Sequence, residues 1–154
     1  MISSRVVMLA AVALLLIWTA AAAGTYELVV IAEDGGTLWA RPVGEGSPVV
    51  LQYTNSLYLA PTQEHFTVKP GGFALREVWS TSDGVLAYNS LPAPYLRRGK
   101  FFISSVRAFV PAIVTRIGPI GQQTLHIGSE ELPLYKAGTG IRVTIALRRN
   151  FPGR

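Results

Sequence analysis

Chemistry-bearing side chains are sparse in this sequence, and their spacing narrows what they can do. Arg97, Arg98 and Lys100 fall within four positions, with Tyr95 before them and Phe101 and Phe102 after them. Cations beside aromatic rings suit an anionic membrane surface or a membrane protein, with a solvated loop as the plainer alternative. Nucleic acid is disfavoured, because the overall charge is modest and no RNA- or DNA-binding module is recognisable. His65 and His126 each fall in an expected strand with apolar neighbours one step away, so alternation turns both imidazoles away from the core. A hydrolytic triad needs a serine beside one of them and a carboxylate behind it, yet Asp34 and Asp83 sit in turn sequences that engage an aspartate with its own backbone. Adjacent Glu130 and Glu131 would point to opposite faces of a strand, and a solvated turn suits them better than a glycosidase pair. The segment from Gly118 to Gly121 holds only two glycines and precedes a strand, which reads as a turn and not a phosphate cradle. Glu64 opens a strand after Pro61, beside Tyr53, Asn55 and Ser56. No catalytic, cofactor or metal-ligating set emerges, so neither an enzymatic activity nor a cofactor is expected.

The elements that must position these residues follow a period near two. Tyr26 to Ala32, a turn at Glu33 to Gly36, and Thr37 to Arg41 read as a hairpin. Further expected strands are Val49 to Asn55, His65 to Lys69, Phe73 to Ser80, Val85 to Tyr88, Phe101 to Phe109, Ala112 to Ile117, Thr124 to Ile127, Leu132 to Lys136 and Ile141 to Arg148. In the last, Ile141, Val143, Ile145 and Leu147 share one face and Arg142, Thr144, Ala146 and Arg148 the other, the pattern of a strand with one buried and one wet side. Lys69 to Gly72 and Ala137 to Gly140 supply glycines for tight reversals. No stretch after the leader has the length and spacing of a stable helix. The expected fold is therefore all-β: a single-domain antiparallel sandwich or partly open barrel of about nine or ten short strands over residues 24–154. Ser90 to Pro94, with two prolines, is the expected long loop.

Residues 1–23 stand apart. Met1 to Arg5 carries one positive charge, Val6 to Trp18 is an unbroken apolar run, and Thr19 to Gly24 is built of small residues. This is the order of a secretory signal with a cut after Ala22 or Ala23; an uncleaved membrane anchor is the alternative. Either reading places the folded part outside the cytoplasm, whether secreted, periplasmic or at the cell surface. The whole chain has 154 residues, 49% hydrophobic and 15% charged, with a net charge of +5; removing residues 1–23 with Arg5 leaves 13 − 9 = +4 on 131 residues. A chain of that size buries roughly two thirds of its unfolded surface and needs no metal or disulfide to hold a core. The absence of cysteine excludes thiolate zinc sites, thiol nucleophiles and lipid attachment through sulfur.

The succession Tyr53, Thr54, Asn55, Ser56, Pro61, Glu64 and Phe66 resembles the motif near the start of a small exported family. That family is a domain of unknown function often encoded beside TAXI-type tripartite ATP-independent periplasmic (TRAP) transporters. Arg116, Gly118, Thr124, Leu125, Leu132, Leu134, Tyr135 and Gly140 are similar to its second half, so the resemblance spans roughly Leu28 to Arg148. It implies an extracytoplasmic accessory or binding domain working with a transporter membrane protein or a small polar solute. Two positions depart from the family: Asn55 and Gln123 stand where histidines are usual, and amides neither titrate nor bind zinc well. In this chain the shared positions imply a polar pocket of Tyr53, Asn55, Ser56, Glu64, Arg116 and Gln123, with Arg116 and Glu64 paired or holding a ligand between them. A hydrogen-bonded cluster that only fixes strand register is the competing reading.

Overall fold

The computed structural model describes residues 26–149; the leader, residues 1–23, lies outside them. Among the described residues there are eleven strands: β1 (Tyr26–Ala32), β2 (Thr37–Val43), β3 (Pro48–Asn55), β4 (Ala60–Lys69), β5 (Gly72–Ser80), β6 (Leu96–Arg98), β7 (Phe101–Val110), β8 (Ala112–Arg116), β9 (Thr124–Ile127), β10 (Glu130–Pro133) and β11 (Arg142–Arg149). They form an antiparallel four-stranded sheet, β2-β1-β11-β8, and an antiparallel seven-stranded sheet, β10-β9-β3-β4-β5-β7-β6. The all-β sandwich expected from the alternation is thus present.

Dyad spacing explains the core. Leu28 and Val30 of β1, Ile113 of β8, and Val143 and Ile145 of β11 face Val49, Leu51, Phe66, Val68, Phe73 and Leu125 of the larger sheet, all of them buried. Phe66 and Phe73 meet edge to face at 6.3 Å between centroids. The chain passes from one sheet to the other at Pro111, between β7 and β8. Close approach at this corner requires Gly72, where an added Cβ would sit 2.8 Å from the Pro111 Cα.

The strand expected over Val85 to Tyr88 is instead a short helix, α1 (Asp83–Tyr88). Ser82 occupies its N-cap position in extended conformation, Asp83 lies in the first turn, and Val85 and Leu86 are buried. Six residues are too few for helical periodicity to show in a sequence. Packing against β5 makes the helix here, not propensity. Val78, Val85 and Leu86 are buried outside the main cluster, so α1 and the loop behind it add a second, smaller core. That loop, 89–95, is tied down where Ser104 donates to the Pro92 carbonyl at 2.7 Å and the Leu91 amide to the Leu86 carbonyl at 3.0 Å. Among the described residues, no helix is long and apolar enough to cross a membrane.

Candidate interaction site

The basic cluster falls on the hairpin β6–β7, at the edge of the larger sheet. Gly99, at φ 58°, occupies the first position of a two-residue turn, where a residue with a Cβ is strained. Cross-strand pairing sets Leu96 against Ile103, Arg97 against Phe102 and Arg98 against Phe101, so Arg97 and Arg98 leave opposite faces. Each cation then finds a ring. The Arg97 guanidinium lies 4.6 Å from the Phe102 centroid, that of Arg98 5.0 Å from Trp79, and the Lys100 ammonium 5.5 Å from Phe101. Arg97, Arg98 and Lys100 are exposed, and none takes part in the ion pairs formed among the described residues. Tyr95 is half-buried and donates its hydroxyl to the Leu91 carbonyl at 3.4 Å, so it anchors the loop instead of facing a partner.

Trp79, which the sequence did not single out, joins this cluster to the sheet. Its ring stacks on His65 at 4.6 Å and meets Phe101 at 5.8 Å, and its indole N–H donates to Glu77 Oε2 at 2.7 Å. His65, Trp79, Phe101 and Arg98 thus form a continuous strip across four strands of the outer face. Burial holds the His65 imidazole below its ordinary pKa and the nearby Glu77 charge only partly opposes this, so the ring stacks in its neutral form. Both imidazoles lie on the outer face, as alternation requires. His65 Nε2 meets Gln63 Oε1 at 3.1 Å and His126 Nδ1 lies 3.5 Å from Glu131, so neither engages a serine.

Of the six residues in the implied polar pocket, the structure joins Tyr53 and Glu64 directly. The Tyr53 hydroxyl donates to Glu64 Oε1 at 2.8 Å on the inward side of β3 and β4. Burial pushes the Glu64 carboxyl above the usual carboxylate range, only partly offset by that hydrogen bond. Burial, and then the Glu64 charge, push the Tyr53 hydroxyl strongly upward. Buried Thr62 and Ser80 continue this polar row, their hydroxyls 3.1 Å apart. Gln123 is buried beside the end of β3 and donates to the Arg116 carbonyl at 2.8 Å, while its Oε1 has no partner. Asn55 and Ser56 belong to the β3–β4 turn: Asn55 Oδ1 accepts from the Leu57 and Tyr58 amides at 3.1 and 3.0 Å, and Ser56 is exposed. Arg116 does not pair with Glu64. Its guanidinium is exposed and donates to the Gly140 carbonyl at 2.8 Å, because alternation along edge strand β8 points it out of the sandwich.

Glu130 and Glu131 lie on β10 and not in a turn. Glu130 pairs with Arg41 of β2, whose Nε donates to Oε2 at 2.6 Å, closing the open side between the two sheets. A notch of about 490 Å³ beside this pair is lined by Val43, Ser47 and Ile127 among others, but its two charged groups already satisfy each other. Comparison with protein-family models, curated proteins and solved structures finds no match to this chain. Exposed Arg76, Arg107, Arg116, Lys136, Arg148 and Arg149 also form no ion pair among the described residues. The β6–β7 cations differ in falling within four positions with each one against an aromatic ring, and what they can do is bind negative charge.

Proposed function

We propose that this chain is a non-enzymatic binding module that works outside the cytoplasm, in the accessory role to a membrane transporter that its resemblance implies. It docks onto an anionic membrane-associated surface through the β6–β7 hairpin. The observation that carries this reading is the seating of Arg97, Arg98 and Lys100 on Phe102, Trp79 and Phe101 without a carboxylate partner. The rings hold the charged heads in place while the side chains stay exposed, so less conformational freedom is lost when an anionic partner arrives.

The test uses the natural absence of cysteine. Leu96→Cys, at an exposed position of β6, is labelled with a photo-crosslinker and exposed to native membranes. An adduct with a membrane component is expected, and Arg97→Glu with Arg98→Glu should remove it. Each cation near an anionic surface contributes about 1 kcal/mol, so losing two weakens docking by roughly 30-fold before the added repulsion counts. An adduct that survives the double charge reversal, or no adduct at all, refutes the reading.

A further inference from the structure

Strand register gathers two segments with exposed apolar side chains beside the cationic hairpin. The end of β3 pairs with the start of β4, the start of β4 with the end of β5, and the end of β5 with the start of β7. The β3–β4 tip, α1 and the Gly99–Lys100 turn therefore leave the same end of the larger sheet. At that end Leu57 is 62% exposed, Leu59 66%, Tyr88 68% and Leu96 62%, with Tyr58 also exposed. Side chains of this size normally lie inside, and a group of them at one end marks a contact surface.

The tip is held in shape. Asn55 caps the Leu57 and Tyr58 amides, Leu59 sits at φ 49°, which a leucine rarely adopts, and Tyr58 packs against Tyr88 at 6.3 Å between centroids. An added Cβ on Gly84 would sit 2.7 Å from the Tyr58 ring, so α1 approaches the tip closely. A rigid turn that presents leucines outward, with tyrosines behind them and cations alongside, fits a bilayer interface. Aliphatic groups enter the acyl boundary, tyrosines sit at headgroup depth, and cations meet lipid phosphates. Over residues 55–60 and 81–100 there are three cations and one carboxylate, Asp83.

We propose that this end of the sandwich is a membrane-docking surface that inserts Leu57, Leu59 and Tyr88 into the interfacial layer of an anionic lipid bilayer while Arg97, Arg98 and Lys100 bind its headgroups. This rests on the docking role proposed above and names lipid as the anionic surface. A projecting apolar tip favours lipid over a protein partner, since a fluid layer accommodates it without a matching pocket. Tyr26 lies at the opposite end of the sandwich, paired with Val43 and Arg149. Docking in this orientation therefore accompanies removal of the leader, because the chain would otherwise enter the bilayer from the far side.

The exported protein carrying Leu57→Cys, labelled with an environment-sensitive fluorophore, is titrated with protein-free vesicles of phosphatidylglycerol and phosphatidylcholine. Tyr88→Cys is a second reporter should the tip not tolerate the first, and Phe109→Cys, exposed at the opposite end, is the control. The expected result is a blue shift and intensity rise at positions 57 and 88 with anionic vesicles and none at 109. Arg97→Glu with Arg98→Glu should weaken the response roughly 30-fold or more. Silence at both reporters, or a response at Phe109→Cys in their place, overturns the proposal. If crosslinking from Leu96→Cys in native membranes persists while protein-free vesicles give no signal, the lipid assignment fails and the docking role stands.

Discussion

Among single residues, Glu64 has the clearest conflict with its surroundings: a carboxyl facing the sandwich interior with Tyr53 as its hydrogen-bond donor. Its folded-state pKa lies above its unfolded one, so the folded state holds the proton more tightly. That contribution to stability is fully present below the ordinary carboxyl value of 4.5 and is lost as pH rises through the folded-state value. Glu64→Gln has no such loss. Its stability relative to the parent should therefore increase from about pH 4 to about pH 7, as urea unfolding at the two values would measure. A flat difference would mean that the carboxyl ionises in the fold as readily as in water. The residue's type was legible in the sequence, but its inward direction depended on register with Leu51 and Val78.

At the scale of elements, a bulge in β5 decides which face Trp79 joins. His65 pairs with Glu77 and Phe66 with Leu75, so Arg76 is extra and the alternation slips by one. Unbroken alternation would put Trp79 on the core side with Phe73 and Leu75. The slip sends Trp79 outward, onto His65 and beneath Arg98, and brings Val78 inward. A second constraint is the corner between sheets. Gly72→Ala would force a Cβ against backbone atoms of Val110 and Pro111, which cannot swing aside as a side chain does. The substitution should cost about 1–3 kcal/mol, read as a lower urea midpoint with an unchanged slope. A stability equal to the parent's would show that the corner yields.

For the whole molecule, the two ends of the sandwich differ. One carries Tyr26, where residues 1–25 join, and the other carries the apolar tip and the cationic hairpin. Docking through the second end requires a free first end, so the mature protein should begin within a residue or two of Ala23, by mass spectrometry of its N-terminus. An intact Met1 on the membrane-bound form would contradict that orientation. By itself, the sequence determined the all-β class, the inward face of the last strand through Val143 and Ile145, and the placing of Arg97, Arg98 and Lys100 beside Phe101 and Phe102, because alternation and adjacency are local properties of a chain. Only the tertiary structure decided that Trp79 faces outward, that Arg116 turns away from Glu64, and that residues 57–59 meet Tyr88. Each of these hangs on a bulge, a strand's place at a sheet edge or a pairing between distant segments, and no local pattern of side chains encodes them.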